Sequence, residues 1–206
     1  MSDLIIIGAG GHGRVISDIA DMLNRYNNIY FMDDYSNLEN INGKKNLGSL
    51  KLLKIFKDSA EIFVAIGDNQ IRENILTNLL IQNYKIATLI HPKSIISDNV
   101  SIGVGTVIMG GVAINNSTKI GLGSIINTNS SVDHDCVIGD YVHISPGTNI
   151  AGTTVINNNV WLGVGVSVIN NIFINKDIVV GAGGVIVNDL LESGLYIGIP
   201  AKKYVE

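Results

Sequence analysis

The sequence is poor in several features that define common protein classes. Only one of its 206 residues is cysteine, Cys136, which excludes a scaffold stapled by disulfides. Lysine and arginine number 14 against 18 acidic residues and form no block, which argues against nucleic acid or a membrane surface as the main partner. There is neither a run of roughly 18 apolar residues nor a charged leader with a cleavage site, so we expect a soluble, cytoplasmic protein.

Aliphatic side chains and glycine are abundant instead. Hydrophobic residues make up 46% of the chain, glycine contributes 23 residues, and the net charge is only -4, a composition that excludes a disordered chain. The pattern of these residues changes along the chain. We therefore predict two domains, 1–85 and 86–206.

The first domain alternates short apolar runs with stretches of helical character. The runs Leu4–Ile7, Ile29–Met32 and Ile62–Ile66 are typical of buried strands. Helical stretches follow the first and third runs, over about 14–25 and 71–83. Strands that alternate with helices predict a small α/β domain with a parallel sheet.

The second domain repeats every six residues. Every sixth position from 90 to 186 is aliphatic: Ile90, Ile96, Ile102, Ile108, Ile114, Ile120, Ile126, Val132, Ile138, Ile144, Ile150, Ile156, Leu162, Val168, Ile174, Val180 and Ile186. Small or β-branched residues lie two positions earlier: Val100, Thr106, Val112, Thr118, Ser124, Ser130, Cys136, Val142, Thr148, Thr154, Val160 and Val166. We expect both columns to point inward. Because a period of six fits neither a helix nor one long strand, we predict about five coils of about 18 residues, each with three short strands.

Glycines often follow the aliphatic column. They are Gly103, Gly121, Gly139, Gly163 and Gly181. We expect them to adopt the unusual backbone dihedrals of tight turns.

Glycines near the N-terminus form a nucleotide-binding pattern. Gly8, Gly10 and Gly13 make a GxGxxG motif between a strand and a helix, and Asp33 and Asp34 follow about 20 residues later, as in a dinucleotide fingerprint. The chain leaves for the repeat after one mononucleotide half, so we predict a single nucleotide-binding half, with a purely structural turn as the alternative. Gly67, Asp68, Asn69 and Arg72 fall at the same sheet edge, either as part of this site or as a helix N-cap.

The candidate catalytic residues of the repeat lie around His134. At a turn position its imidazole is suited to remove a proton from an attacking amine or hydroxyl, and Asp135 or Asp133 would hold its tautomer. His143 lies half a coil later, and we expect it to reach the same cleft. Cys136 falls in the inward column, so we expect a core residue and not a nucleophile. The histidines show no metal-ligand spacing.

The ordered set of motifs resembles a known family. The motifs are GAGGHG at 8–13, FMDDY at 31–35, AIGDN at 65–69 with Arg72, IHP at 90–92, HD at 134–135, His143 and GIPAK at 198–202. They resemble the bacterial nucleotide-sugar N-acetyltransferases of the PglD type and the NeuD-like sialic acid O-acetyltransferases. The repeat resembles the left-handed parallel β-helix of hexapeptide acyltransferases, so the expected fold is a half-Rossmann-like α/β domain followed by such a β-helix.

This resemblance implies an activity and a set of roles. The activity is transfer of acetyl from acetyl-CoA to the C4 amine of a dTDP- or UDP-linked 4-amino-4,6-dideoxy sugar, by direct attack in a homotrimer, for surface glycans such as the O-antigen of lipopolysaccharide. The implied substrate-binding residues are Gly10, Gly11 and His12 for the pyrophosphate, Asp33 and Asp34 for the nucleoside, and Gly67 for the sugar or diphosphate. The implied acetyl-transfer residues are His134 as general base, Asp135 raising its basicity, His143 at the thioester carbonyl, and Gly152, Val164 and Ala182 along the CoA channel. A backbone N–H near Gly152 or His143 would stabilise the oxyanion.

Other functions stay open at this point. An O-acetyltransferase for sialic acid or another hydroxyl acceptor would share the fold and the base. A non-catalytic hexapeptide assembly protein is another alternative. A β-helix of the carbonic anhydrase type would need three histidines around a metal, and a dehydrogenase would need the second mononucleotide half. We expect no metal, no nucleic acid and no membrane as partners.

Overall fold

The computed structural model describes residues 1–205. It contains two compact units, Met1–Pro92 and a second that begins at Lys93, a few residues after the predicted boundary. Within 1–205 no helix combines the length and the apolarity that crossing a membrane requires.

The first unit is a small α/β fold. Its elements are β1 (Ser2–Ile7), α1 (Gly11–Leu23), β2 (Tyr26–Met32), β3 (Asn40–Ile41), β4 (Lys44–Lys45), a 3₁₀ helix (Leu50–Phe56), β5 (Ala60–Val64), α2 (Asn69–Ile81) and β6 (Leu89–Ile90). β1 lies between β2 and β5 and is parallel to both, as predicted for the three apolar runs. The hairpin of β3 and β4 and the 3₁₀ helix were not predicted.

Parallel pairing brings three loops to one edge of this sheet. Leu4–Ile7 is buried along its whole length because β1 is the central strand. The carboxyl ends of β1, β2 and β5 therefore meet, and so do the loops that follow them, which is where open α/β sheets bind ligands.

The second unit is a parallel β-helix of very short strands. They are β7 (Ile95–Ile96), β8 (Ser101–Ile102), β9 (Val107–Ile108), β10 (Ala113–Ile114), β11 (Lys119–Ile120), β12 (Ile125–Ile126), β13 (Ser131–Val132), β14 (Val137–Ile138), β15 (His143–Ile144), β16 (Asn149–Ile150), β17 (Val155–Ile156), β18 (Trp161–Leu162), β19 (Ser167–Val168), β20 (Phe173–Ile174), β21 (Ile178–Val180), β22 (Val185–Ile186), β23 (Gly194–Ile197) and β24 (Lys202–Lys203). Up to β22, every third strand lies on the same face. Face A holds β7, β10, β13, β16, β19 and β22; face B holds β8, β11, β14, β17 and β20; face C holds β9, β12, β15, β18, β21 and β23, with β24 antiparallel to β23. The helix makes about six turns, one more than predicted, and β23 continues face C beyond the counted repeat.

The two inward columns are confirmed. The aliphatic side chains from Ile108 to Ile186 are buried, and so are their small neighbours from Thr106 to Val166. Only the first coil, with Ile96, Val100 and Ile102, is half-buried. The six-residue period therefore builds the core of the whole unit.

The expected role of the glycines after the aliphatic column was wrong. None of the five has a positive φ. They are needed because a Cβ would meet the next coil: at Gly163, for example, it would lie 2.7 Å from the Val180 carbonyl oxygen. Coils stacked at the spacing of neighbouring strands leave no room for a methyl group there.

Positive φ values occur in a different column. Every sixth residue from 105 to 183 has φ between 55° and 76°: Gly105, Gly111, Ser117, Gly123, Asn129, Asp135, Tyr141, Gly147, Thr153, Asn159, Gly165, Asn171, Asp177 and Gly183. Glycine, asparagine and aspartate predominate because they tolerate this conformation best. Asp135 belongs to this column, so the fold itself fixes the backbone beside His134.

Candidate active site

His134 lies in the turn that joins β13 on face A to β14 on face B. We call residues 133–136 the His134 turn. Its backbone is tied to both neighbouring coils: the Asp135 N–H donates to the Asn116 carbonyl over 3.0 Å, and the His134 carbonyl accepts from the Thr153 N–H over 2.9 Å. The His134 side chain itself is exposed, so it is available to a ligand.

Asp135 is the carboxylate that contacts the imidazole. His134 Nδ1 lies 2.8 Å from Asp135 Oδ2. Because a carboxylate accepts, Nδ1 carries the proton and the neutral ring keeps a lone pair on Nε2. This hydrogen bond, reinforced by the negative charge of Asp133, raises the pKa of His134 above its ordinary value. The geometry is that of a general base with an orienting acid.

Asp133 has a different task. Its Oδ1 accepts from the His134 backbone N–H over 2.9 Å and from Asn115 Nδ2 over 2.7 Å. The hydrogen bond from Asn115, and then that from His134, lower the pKa of the Asp133 carboxyl. The sequence did not decide which carboxylate orients the imidazole. Asp135 contacts the ring, and Asp133 accepts from the backbone N–H of His134.

Gly152 lies against the face of the His134 ring. A Cβ built on Gly152 would stand 2.7 Å from both Cε1 and Nε2 of His134, closer than real contacts allow. Residue 152 is one coil after 134, and only glycine there leaves the ring its observed position. The Gly152 N–H, moreover, makes no hydrogen bond within 1–205.

His143 is held in an aromatic stack that was not predicted from the sequence. It lies on β15 and its ring is parallel to that of Trp161 on β18, with 5.4 Å between ring centroids. Trp161 Nε1 donates to Ser145 Oγ over 2.9 Å, and Asn127 Nδ2 lies 3.4 Å from His143 Nε2. The signal for this stack was the separation of one coil between residues 143 and 161.

One chain does not bring all of the predicted acetyl-transfer residues together. His134, Asp135 and Gly152 lie at the corner between faces A and B, whereas His143 lies on face C, opposite that corner. Val164 and Ala182 are exposed in turns that lead from face C back to face A. His143 therefore does not reach the cleft of His134 within a single chain, contrary to our expectation, because half a coil leads to the other side of the β-helix.

A groove on face A begins beside the His134 turn. Its volume is about 380 Å³. It is lined by Asn115, Ser131, Asp133, Asn149, Ile150, Ala151, Ser167 and Val168. One of the lining residues, Asp133, belongs to the His134 turn.

Cys136 lies in the core as predicted. It is buried, its Sγ donates to the Ala151 carbonyl over 3.4 Å, and burial raises the pKa of its thiol. A protonated, enclosed thiol is a poor nucleophile.

We expect the Cys136→Ser variant to keep kcat within about threefold of the wild type, because a serine hydroxyl can donate the same hydrogen bond. Steady-state acetyl transfer measures this. A loss comparable to that of a catalytic residue would contradict the assignment of Cys136 to the core.

The glycine loop of the first unit, residues 8–13, contains glycines that the turn requires and glycines with free space around them. Gly8 has a φ of 103°, and a Cβ on Gly13 would overlap the Gly8 carbonyl oxygen, so both residues serve the turn. At Gly10 nothing lies within 4 Å of an added Cβ, and at Gly11 only the end of the Arg14 side chain does, at 4.0 Å. This free space, at the start of α1, is where a helix N-terminus favours an anion.

The two aspartates after β2 are in different situations. Asp33 Oδ2 accepts from the Ala9 N–H and Oδ1 accepts from the Tyr35 N–H, each over 2.8 Å. Asp33 thus fixes the glycine loop. Asp34 is exposed and accepts from the Leu50 N–H over 3.3 Å, so it is better placed to contact a nucleoside.

His12 and Gly67 meet around a buried arginine. Burial, together with the positive charge of Arg72, lowers the pKa of His12 to about 4, and His12 Nε2 is buried with no hydrogen-bond partner within 1–205. Arg72 is buried and its guanidinium donates to the carbonyls of Ile66 and Gly67 and to Asn69. His12 is therefore neutral at pH 7. Asp68 Oδ1 accepts from the Ile71 N–H and caps α2, which is the N-cap role that the sequence allowed.

The part of the chain that the structure describes contains no group of three or more His, Cys, Asp or Glu side chains arranged to hold a metal ion.

Comparison with known proteins relates both units to sugar acetyltransferases. Residues 3–79 match the PglD N-terminal domain family. The acetyltransferase domain of PglB from Neisseria gonorrhoeae FA1090, in complex with acetyl coenzyme A, is 36% identical with a TM-score of 0.95, over 98% of this chain and 99% of that one. PerB from Caulobacter crescentus, in complex with CoA and GDP-perosamine, is 35% identical with a TM-score of 0.92, over 98% of this chain and 97% of that one.

A curated relative is UDP-N-acetylbacillosamine N-acetyltransferase from Bacillus subtilis (strain 168), 32% identical over 115 residues, which cover 53% of this chain and 52% of the relative. The matches to curated relatives span between 52% and 62% of their lengths. The full-length likeness to the solved structures confirms the predicted fold class, an α/β unit followed by a left-handed parallel β-helix.

Proposed function

This chain belongs to the PglD-like family of nucleotide-sugar N-acetyltransferases, and on that premise we propose that it moves acetyl from acetyl-CoA to the C4 amine of a nucleotide-linked 4-amino-4,6-dideoxy sugar for bacterial surface glycan synthesis. The observation that carries the proposal is the His134–Asp135 pair above Gly152. It supplies an oriented, exposed base in a turn that the fold fixes.

The proposed reaction is direct transfer with both substrates bound. The lone pair of the neutral C4 amine attacks the thioester carbon, the new C–N bond forms, and the C–S bond breaks. His134 Nε2 takes the proton of the amine and passes it to the departing CoA sulfur, while Asp135 stabilises the imidazolium. The complex of PerB with both CoA and GDP-perosamine supports simultaneous binding of the two substrates.

The Gly152 N–H is the proposed donor to the oxyanion. It lies beside the His134 ring and makes no hydrogen bond to the residues of 1–205. The alternative donor, the His143 N–H, already donates to the Val160 carbonyl over 2.9 Å. A free N–H near the reacting carbon is the arrangement that stabilises a tetrahedral intermediate.

The nucleotide sugar would bind at the carboxyl edge of the first unit's sheet. Gly10 and Gly11 would face the pyrophosphate, Asp34 the nucleoside, and Gly67 the sugar or diphosphate. His12, being neutral, would contribute a hydrogen bond and not charge. The sequence does not distinguish UDP, dTDP and GDP, and relatives named for UDP and GDP sugars support these two nucleotides as candidates.

The acetyl-CoA site would form between two copies of the chain in a homotrimer. His134 at one corner and His143, Val164 and Ala182 on the other side share a site only if a second copy supplies the latter group. The exposed Val164 and Ala182 would then line the CoA channel opposite the groove on face A.

We expect two inactive variants to complement each other. His134→Ala and Ala182→Trp chains refolded together should recover about a quarter of wild-type activity, because about one interface in four combines an intact base with an intact channel. Each variant refolded alone is the control, and sedimentation should report a trimer. No recovery in mixed trimers, or a monomer in sedimentation, would contradict the shared site.

The pH dependence should follow His134. Because Asp135 raises the pKa of His134, the acid limb of kcat/KM lies above the pH expected for an ordinary histidine. In Asp135→Asn the pKa falls, so the limb moves to lower pH, and the plateau falls about tenfold because the base is weaker and less well oriented. Rate profiles from about pH 5 to 9 measure both effects. An unmoved limb would remove Asp135 from this role.

An O-acetyltransferase for sialic acid is the second candidate, since the base would serve a hydroxyl equally well. A panel of UDP-, GDP- and dTDP-linked 4-amino-4,6-dideoxy sugars with free sialic acid, followed by thiol release, separates the two. Turnover with an amino sugar supports the proposal. Turnover with sialic acid alone contradicts the proposal, and so does the absence of turnover with every acceptor of the panel.

A further inference from the structure

The His134 turn is closed from inside the β-helix by one hydroxyl. Thr118 Oγ1 donates to the Asp133 carbonyl over 2.7 Å and accepts from the Cys136 N–H over 3.2 Å. These two backbone groups are the ends of the turn, so the bonds bracket His134 and Asp135. Thr118 is fully buried.

The geometry of the catalytic pair depends on this backbone more than on packing. The side chains of His134 and Asp135 are 56% and 55% exposed, so few neighbours restrain them. They are adjacent in sequence, Nδ1 lies 2.8 Å from Oδ2, and Asp135 has a φ of 56°, so the backbone of the turn sets the direction of both side chains. A change in the turn would therefore change the contact of the base with its orienting acid.

We propose that Thr118 is a positioning residue for the His134–Asp135 pair, an inference that rests on the proposed function for its kinetic consequence. Only a group that both donates and accepts can satisfy the Asp133 carbonyl and the Cys136 N–H together. With valine in its place both groups would be buried without their partner, and the turn would rearrange to satisfy them.

The fold provides a matched control. Thr106 Oγ1, twelve residues earlier, makes the same two kinds of bond in the turn between faces B and C: it donates to the Gly121 carbonyl over 2.8 Å and accepts from the Ser124 N–H over 3.0 Å. That turn carries no ionisable side chain. Thr106→Val therefore removes the same interactions from the β-helix without touching the His134 turn.

Serine already fills this role elsewhere in the column. Ser124 Oγ donates to the Gly139 carbonyl and accepts from the Val142 N–H. Thr118→Ser should therefore keep the turn closed. Cysteine is the weaker substitute, as the longer bond from Cys136 to Ala151 indicates.

The experiment measures the pKa of His134 by NMR titration of the imidazole Hε1 in the full chain without substrate, with the resonance assigned from His134→Gln. Thr118→Val should return the pKa of His134 toward the ordinary histidine value, whereas Thr106→Val and Thr118→Ser should titrate as the wild type does. The pKa of His134 in Thr118→Cys should lie between these two results. If Thr118→Val does not fold, Thr118→Cys is measured in its place. The groups that face His134 and set its pKa are Asp133 and Asp135, and both are retained in every variant.

With an amino-sugar nucleotide that the wild type acetylates, Thr118→Val should lower kcat about 10- to 100-fold with KM for acetyl-CoA unchanged, while Thr106→Val stays within about twofold. An unshifted His134 pKa in Thr118→Val, or an equal shift in Thr106→Val, would overturn the proposal. Because the titration needs no turnover, a wild-type enzyme that acetylates no amino sugar would refute the proposed function and leave the NMR result to decide the role of Thr118.

Discussion

Replacing His134 by alanine should lower kcat by about 10²- to 10⁴-fold and leave KM for both substrates nearly unchanged. The imidazole contacts the amine proton only as the C–N bond forms, so its loss raises the barrier of the chemical step without weakening ground-state binding. Steady-state kinetics with a nucleotide-linked amino sugar measures both constants.

The control for this variant is His91→Ala, which removes a histidine that lies outside the proposed machinery. It should keep the kcat of the wild type. Wild-type turnover by His134→Ala would show that another group takes the proton. A large rise in KM with unchanged kcat would make His134 a binding residue.

Gly152→Ala should lower kcat by about 10- to 100-fold while the melting temperature changes little. The added Cβ would collide with Cε1 and Nε2 of His134. The ring is exposed and rotates away at small cost in stability, but its Nε2 then leaves the position from which it accepts the proton. Kinetics and thermal unfolding, measured on the same preparation, test the two halves of this expectation.

Asn170→Ala is the matched control for Gly152→Ala, because residue 170 occupies the same turn position one coil later. We expect it to leave kcat unchanged. If Gly152→Ala raised KM for acetyl-CoA and kept kcat, Gly152 would act as a wall of the CoA channel and not as the support of the ring.

The sequence predicted the core of the β-helix better than its turns. A single period of six placed the aliphatic side chains and their small neighbours inside. The reasons for individual turn residues depend on the coil above or below, 18 residues away, and a six-residue pattern does not display them. That is why Gly103 and its counterparts were assigned unusual dihedrals when their real constraint is the next coil, and why the column of positive φ that contains Asp135 was missed.

The candidate site was predicted in part. The pairing of His134 with an adjacent carboxylate follows from sequence neighbourhood, but the choice of Asp135 over Asp133 needed the turn geometry. The stack of His143 on Trp161 is a contact between coils, and the separation of His143 from His134 follows from the three-sided winding. In the first unit, the pattern predicted the turn between β1 and α1 but did not show that Asp33 accepts a hydrogen bond from that turn.

The most direct test of acetyl transfer to an amine is the chemical nature of the product. Wild-type enzyme is incubated with acetyl-CoA and each acceptor, thiol release is followed, and the product is analysed by mass before and after hydroxylamine treatment, together with the intact mass of the protein chain. We predict acceptor-dependent thiol release, a nucleotide sugar heavier by one acetyl group that survives hydroxylamine as an amide does, and an unmodified chain. A product that hydroxylamine cleaves as an ester, or an acetyl group retained on the protein, would contradict it.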